Sequence, residues 1–532
     1  MCYSAAMQAG SDSVPRTLIE RARARGRRVR EATEPRQPSV LLRVPPTAVL
    51  VGLVVVALAI WRLAFVFAGP DPDSDAYGHH AIARQILVNP KDLTVHWVWL
   101  PLFHYLQAGA ILLGATLDTV RVFNVLVSSA VPILLYLTLR EGRAARTDRL
   151  GDPSPTIAAL ICAISPIAMQ MGTTGQTEPL FALLTMVVAF ALTQGRMRLL
   201  AFALFCAVLL RYEAWSVLAA TCALFVVERV FRRKVTAKIP WWAVAIPIAA
   251  ILGWAAIRRP VDGSWFWFLK GTREFANDAL KTKSSFELGR AQLIKDLARY
   301  AIEVPWRVIG YPLLLAPLGI VRTWKRDGMR FCAVFLAVLG FVTFAWIMRS
   351  SLGLDRHFVA LVPFYATLIG NGVVVLADAI GKIVERLARG AEHAFLAVGS
   401  ARAAVIAGLC CAMFVDGAVN LARWMDNWRH ASEEGWPDRR LIAGYLRALP
   451  GAPTIFCDEA TVELLSGLDR HRFERVGVAD PTRVAARAAE QGVVYVVSWA
   501  PNLKGVAPLG VVVFRPSGST DAVGLEVLRV PR

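Results

Sequence analysis

The chain carries little charge. Asp, Glu, Lys and Arg make up 19% of its 532 residues, against 56% hydrophobic residues and a mean hydropathy of +0.48. A soluble domain carries roughly a quarter charged residues, so this composition excludes an ordinary globular protein and points to repeated membrane spans. Cysteine is scarce as well. Of eight cysteines, Cys162, Cys206, Cys222, Cys332 and the Cys410-Cys411 pair lie inside apolar segments, with no CxxC spacing. That excludes a zinc ribbon or disulfide framework and leaves them as small buried hydrophobes. No internal repeat is visible, and the C-terminal stretch lacks both a phosphate-cradling glycine loop and a nucleophile elbow. Acids are the minority sign, 40 against 59 basic residues, for a net charge of +19. In a soluble protein this would suggest nucleic acid; here the basic residues flank apolar runs, as the positive-inside bias requires, so no nucleic-acid partner is expected.

What is present is a series of apolar runs such as Pro46–Phe67, Trp241–Ile257 and Phe331–Met348, long enough or nearly so to cross about 30 Å of hydrocarbon. The first is too long for a cleaved signal peptide and lacks a small-residue cleavage site. Residues 1–44 carry nine arginines and no lysine, a cytosolic arm that holds the N-terminus inside. Arg62, near the far end of the first span, is expected to snorkel to the interface.

Loop charge orders the rest. Leu100–Leu117 holds His104, Tyr105 and Gln107; if it spanned, the arginine-rich loop Arg140–Arg149 would face outward, so it is placed on the outer surface and Val120–Leu139 crosses inward. Thr156–Met171 then goes out and Pro179–Thr193 returns. Leu199–Leu210 and Trp215–Val227 form two helices meeting at a polar turn, Arg211-Tyr212-Glu213, and the second ends at the basic group Arg229, Arg232, Arg233 and Lys234. Trp241–Ile257, Pro305–Val321, Phe331–Met348, Phe358–Ala377 and Ala403–Val419 complete about eleven crossings. Residues 421–532 then lie outside. There Thr454–Cys457, Val493–Ser498, Val511–Phe514 and Leu525–Val530 read as strands, and Leu441–Leu449 and Thr482–Gln491 as helices, a small soluble α/β domain.

Under this topology four polar clusters fall on one face: Asp73 and Asp75 with His79 and His80, Gln176-Thr177-Glu178, Arg211-Tyr212-Glu213, and Asp355-Arg356-His357. Each has a plainer explanation, since turns are polar and Glu178-Pro179 is a good helix start. Their convergence suggests a shared polar cavity, because ionisable groups at a membrane rim are costly. Asp71, Asp73 and Asp75 alternate within five residues and repel one another unless a proton, cation or substrate is present. Asp73 or Asp75 suits the role of general base. Glu178 could share a divalent cation, Mg or Mn, with Asp75 through hard oxygen ligands. Arg356 and Arg211 suit a phosphate, because the guanidinium fork donates two hydrogen bonds at once; His357 could donate to the same anion. Tyr77, His80 and Glu213 are candidate substrate contacts. His79 and His80 point to different helix faces and are not expected to bind one metal together. Trp97, Trp99, Tyr105, Trp265 and Trp267 are expected in an aromatic belt.

The order Asp73-Ser-Asp75-Ala-Tyr77, Trp99-Leu-Pro-Leu-Phe-His-Tyr105, Gln176-Thr-Glu-Pro-Leu-Phe181, Leu210-Arg-Tyr-Glu-Ala-Trp215 and Asp355-Arg-His-Phe358 resembles the C-type (GT-C) polytopic glycosyltransferases that use lipid-linked sugars. These include protein O-mannosyltransferases, aminoarabinose transferases and oligosaccharyltransferase catalytic subunits. The resemblance covers most of residues 45–380. It implies inverting transfer in which an outer-loop aspartate activates the acceptor and a polyprenyl phosphate leaves. By spacing to the tyrosine, Asp73 matches the aminoarabinose and mannosyl branch and Asp75 the oligosaccharyl branch. Glu178 matches an acidic second outer loop, and Arg356 the arginine near the donor phosphate. The Trp-Trp-Asp-Tyr-Gly signature of oligosaccharyltransferases is absent, which argues against transfer to Asn sequons.

The sequence is therefore read as an α-helical polytopic membrane protein with a small C-terminal α/β domain. A basic tail (1–44) precedes a transmembrane glycosyltransferase domain (45–420) with outer loops 69–119 and 258–304, and an extracytoplasmic domain (421–532) follows. The expected activity is sugar transfer from a polyprenyl-phosphate donor to a lipid, glycan or protein acceptor at the outer face of the plasma membrane. The alternatives are a secondary transporter, which would place broken helices and charges at the bilayer midplane, and a membrane-anchored envelope-assembly or binding protein.

Overall fold

The computed structural model describes residues 46–141, 152–231, 237–388, 394–433, 436–457, 459–474, 481–499, 503, 505–516 and 524–531. The basic tail 1–44, most of the Arg140–Arg149 loop and the Arg232–Lys234 group lie outside the described residues. The chain divides into two compact units, Met1–Val49 and Leu50–Arg532, and the tertiary contacts below belong to the second.

The protein is a mostly helical, multi-pass membrane protein. Six helical segments are long and apolar enough to cross a bilayer among the described residues, and four shorter apolar helices accompany them. Helix α1 (Pro46–Ala68) ends where Gly69-Pro70 cannot continue it. Then come α2 (Ser74–Val88), α3 (Leu102–Leu112) and α4 (Leu117–Glu141). The eleven residues of α3 span only about 16 Å at 1.5 Å each, half the hydrocarbon thickness, in keeping with a helix that does not cross. Helices α7 (Glu178–Gln194), α8 (Met197–Val208), α9 (Glu213–Val230) and α10 (Trp241–Asp262) come after α5 (Ser154–Ala163) and α6 (Pro166–Met171).

Two expected continuous spans are broken. Thr156–Met171 divides into α5 and α6 because Pro166 has no N–H and holds Ser165 in an extended conformation. The 258–304 loop is itself largely helical, with α11 (Trp267–Leu280) and α12 (Arg290–Ala298). Pro305–Val321 then divides into α13 (Val304–Ile309), a 3-10 turn Tyr311–Leu315, and α14 (Ala316–Arg326), with Gly310 left-handed (φ 76°) at the break. Helices α15 (Gly328–Ile347), α16 (Val362–Leu387) and α17 (Ala394–Glu433) follow, so the last long helix runs well past residue 420. Helices α14 and α16 cross closely: a Cβ on Gly319 would sit 1.8 Å from the Leu368 carbonyl oxygen, and one on Gly372 2.0 Å from that of Leu315. Small residues allow such contact, which is how membrane helices gain packing where burial from water contributes little.

Arg62 does not snorkel. It is buried, donating from Nη1 to Ser128 Oγ at 2.5 Å and from Nη2 to Ser129 Oγ. Nothing local to Arg62 signals this, because the two hydroxyls lie on α4, more than sixty residues away.

The C-terminal domain holds α18 (Pro437–Arg447), α19 (Ala460–Ser466), α20 (Pro481–Gln491) and the strands β1 (Ile455–Cys457), β2 (Phe473–Glu474), β3 (Val493–Trp499), β4 (Val511–Phe514) and β5 (Leu525–Pro531). The sheet order is β2-β1-β3-β5-β4, parallel at β2-β1-β3 and antiparallel at β3-β5-β4. Val494 and Val496 pack on one face against Val484 of α20, while Tyr495 and Val497 pack on the other against Ile442 and Leu446 of α18. Both faces are covered, so β3 reads as a continuous apolar run.

This domain rests on α2. Buried Glu463 lies 3.6 Å from Arg84 Nη1 and 3.3 Å from Arg470 Nε, and Arg470 donates to Gln85 Oε1. Trp436 Nε1 donates to the Asp71 carbonyl at 3.1 Å.

Candidate active site

Asp71, Asp73 and Asp75 alternate for a backbone reason. Asp71 Oδ1 accepts from the Asp73 amide and Asp73 Oδ1 from the Asp75 amide, both at 3.0 Å. These consecutive Asx turns launch α2, with Asp73 as its N-cap. Asp75 sits in the first turn of α2, Glu178 opens α7 and Glu213 opens α9, so each acid meets the positive end of a helix. Arg211 lies in the turn between α8 and α9. Arg356 and His357 lie on the 3-10 turn Asp355–Leu361 that leads into α16.

The tertiary fold joins these four segments. Arg356 Nη1 lies 3.2 Å from Asp73 Oδ2, its Nη2 donates to Asp75 Oδ2, and its Nε lies 3.4 Å from Glu178 Oε1. The same Glu178 oxygen is 2.7 Å from Arg211 Nη1. Arg211 also pairs with Glu213 at 2.7 Å and donates to Thr177 Oγ1 at 2.8 Å, and its Nη2 lies 2.9 Å from His357 Nδ1. The same His357 nitrogen is 3.2 Å from Glu213 Oε1, so it stands between a guanidinium and a carboxylate.

Of the residues singled out from sequence, Asp73, Asp75, Glu178, Arg211, Glu213, Arg356 and His357 form one connected group. Tyr77 and His80 do not join it. Tyr77 packs edge-on against Trp436, with ring centroids 6.4 Å apart, and beside Ala460. His80 Nδ1 donates to Gln107 Oε1 at 3.1 Å. One residue before it, His79 turns to the other side of α2, where its Nδ1 lies 2.8 Å from His104 Nε2.

Asp73 is mostly buried, and burial raises its carboxyl above the ordinary carboxylate range; Asp75 and Glu178 add to this while Arg356 opposes it. Burial lowers the imidazoles of His79 and His80 to about 4, so both are neutral near pH 7. The Asp75 side chain is about a third exposed, against 14% for Asp73. Asp75 is thus the more accessible carboxylate.

The Glu178–Asp75 pair does not fit a divalent cation in this arrangement. Glu178 Oε1 and Asp75 Oδ2 both face Arg356, so a guanidinium occupies the position between them that a cation would take. Among the described residues no group of three or more His, Cys, Asp or Glu is placed to hold a metal.

The group is supported by residues outside it. Asp71 Oδ2 accepts from the Gly175 amide at 2.7 Å. Fully buried Arg121 donates to the carbonyls of Val66, Gly69 and Thr173, and Asn124 Nδ2 to those of Thr174 and Gln176, both at 2.7 Å. Together they fasten the 69–73 segment and the 173–177 segment to α4. A Cβ on Gly175 would lie 2.7 Å from Leu117 Cδ1 and 3.2 Å from Ala76 Cβ, so a larger residue there would have to displace the Leu117 side chain and crowd α2. The alternating acids alone could have disclosed the Asx turns and with them Asp71.

No protein-family model matches the chain, and no curated protein matches it in sequence. Its structure is similar to that of ArnT from Cupriavidus metallidurans bound to undecaprenyl phosphate, with a TM-score of 0.57 and 14% identity over 90% of this chain and 97% of that one. The apo state of the same ArnT gives a TM-score of 0.51 at 15% identity, with the same coverage of each chain. The chain therefore has an ArnT-like fold.

Proposed function

We propose that an ArnT-like fold with this charge group makes the protein a glycosyltransferase, moving a sugar from a polyprenyl-phosphate carrier to a hydroxyl of a lipid, glycan or protein. The observation that carries the reading is the pair of guanidinium groups, Arg211 and Arg356, linked through Glu178 beside the Asp73–Asp75 carboxylates. The ArnT structure with undecaprenyl phosphate supports the donor class. On this reading the site opens to the outer face of the plasma membrane, the N-terminus is cytosolic and the C-terminal domain is extracytoplasmic.

Arg356 holds Asp75 in the resting arrangement. A phosphoryl oxygen of the donor replaces that carboxylate on the guanidinium edge, since planar bidentate pairing suits phosphate equally well, and Asp75 is released. The acceptor hydroxyl then gives its proton to Asp75, and its oxygen bonds to the anomeric carbon on the face opposite the phosphate. The bond from that carbon to the carrier phosphate breaks, and its electron pair stays on the phosphate. Arg356 and Arg211 stabilise the charge that develops there, fixed in place before the reaction by Glu178, Glu213 and Thr177. Asp73 serves mainly as the N-cap that aims Asp75.

The test incubates purified protein with labelled polyprenyl-phosphate sugars and extracted envelope acceptors, comparing wild type with Asp75→Asn. Transfer that is at least about 10²-fold slower in the variant is expected. Undiminished transfer by Asp75→Asn and Asp73→Asn alike would remove the base from the mechanism.

A further inference from the structure

Behind Asp75, on the same face of α2 and one turn further along, stands His79. It heads a chain of three buried imidazoles. His79 Nδ1 lies 2.8 Å from His104 Nε2, and His104 Nδ1 lies 2.8 Å from His96 Nδ1. The rings are 4%, 0% and 0% exposed, and they come from α2, α3 and the 3-10 turn Leu93–His96. None of them belongs to the charge group described above.

A chain of neutral imidazoles has two proton arrangements, because each ring carries one N–H and one lone pair. In one, every proton points toward His96, and His96 Nε2–H is left as a buried donor. In the other, every proton points toward His79, and His96 Nε2 is a lone pair. Among the described residues His96 Nε2 has no hydrogen-bond partner, and neither has Trp254 Nε1. The two rings are in contact, edge to face, with centroids 5.2 Å apart. No hydrogen bond joins the two nitrogens, but an indole nitrogen can only donate, so a lone pair on His96 Nε2 avoids a second unpaired donor in this buried contact. A buried orphan N–H is also rarer than an under-satisfied acceptor.

We infer that the His96–His104–His79 chain is a tautomer lock. His96 carries its proton on Nδ1 and donates to His104 Nδ1; His104 donates from Nε2 to His79 Nδ1; His79 is left as a neutral Nε2–H donor. His79 Nδ1 is taken by His104, so Nε2 is the nitrogen left to meet a ligand bound beside Asp75, one turn away on the same helix. Its partner is an anionic oxygen at that site, a phosphoryl oxygen of the donor when bound. That last step rests on the function proposed above, whereas the lock itself does not. His96 and His104 are positioning residues, acting through His79.

The experiment is magic-angle-spinning NMR of the full chain in nanodiscs, with 15N-labelled histidine and ring resonances assigned from His79→Phe and His96→Phe. The expected wild-type spectrum has the proton on Nε2 in His79 and His104 and on Nδ1 in His96. His96→Phe is expected to release His79 into a mixture of tautomers. His96→Asn, whose amide can still donate to His104, is expected to restore the single form. A wild-type His79 carrying its proton on Nδ1 would overturn the inference, as would a His79 signal unmoved in His96→Phe. Should His96→Phe fail to fold, the wild-type pattern still decides. Adding undecaprenyl phosphate is expected to shift His79 Nε2. The expected tautomers with no such shift would end the phosphoryl assignment and leave the lock standing, and absence of sugar transfer would count against the proposed function alone.

Discussion

The Gly175 amide donates a 2.7 Å hydrogen bond to Asp71 Oδ2, joining two segments a hundred residues apart. Through that bond the loop that delivers Asp73 and Asp75 is set against the loop that delivers Glu178, and Arg356 finds all three within reach. Asp71 Oδ1 meanwhile caps the Asp73 amide. Asp71→Ala leaves two amides without their acceptor, each costing about 1–3 kcal/mol when buried. A lower thermal midpoint in detergent and slower transfer are both expected. Asp71→Asn, which keeps one acceptor oxygen, should fall between Asp71→Ala and wild type.

Asp73 and Asp75 are expected to separate on mutation. Asn is a good N-cap, so Asp73→Asn keeps the helix start. Asp75→Asn removes the proposed base and should slow transfer by about 10²–10⁴-fold. Steady-state rates of the two variants provide the check, and a larger loss in Asp73→Asn would exchange their roles.

Arg356→Lys keeps the charge but cannot reach three carboxylates and a phosphate with one planar fork. A loss of at least about 10²-fold in kcat/KM is expected, the scale of removing a preorganised donor from a transition state. Near-wild-type kinetics in this variant would show that charge alone suffices.

Acid should destabilise the fold through its buried imidazoles. Burial lowers His79 and His80 to about 4 and His96 to about 3, below the ordinary value of about 6.5. Between those values the unfolded chain binds more protons than the folded one. Their contribution is therefore complete above about pH 6.5 and is lost as the pH falls towards 4. Thermal midpoints measured from about pH 7 to about pH 4 should fall, and less steeply in His80→Leu than in wild type. Asp71, raised to about 7 by burial, and Asp73, also raised by burial, act with the opposite sign as the pH falls, so the comparison with the histidine variant decides.

Because a guanidinium stands between Glu178 and Asp75, prolonged chelation with EDTA should change transfer by less than about 2-fold, a small fraction of what base removal costs. A larger loss reversed by Mg or Mn would show that the carboxylates exchange Arg356 for a cation during turnover.

Much of the site was legible as residues and little of it as contacts. The acids at 73, 75, 178 and 213 stood out because helix starts attract acids, and Arg211 and Arg356 stood out because charge is costly in apolar surroundings. Tyr77 and His80 stand outside the charge group because neighbours along a helix face different elements: Tyr77 turns to Trp436 and His80 to Gln107. The three-imidazole chain had no signature, since His79, His96 and His104 meet only when α2, α3 and the turn before α3 pack together.

The apolar runs by themselves determined a multi-pass helical protein, since a bilayer accepts little else with its backbone groups satisfied. They also determined where helices begin, through local proline, glycine and carboxylate chemistry that acts over a few residues. Only the tertiary structure decided that Glu178 Oε1 faces Arg211 and Arg356 together, and that Arg62 is buried rather than at the interface. Those contacts join segments far apart in the chain, and an ångström of backbone position sets which side chains can touch, so no local pattern of residues could decide them.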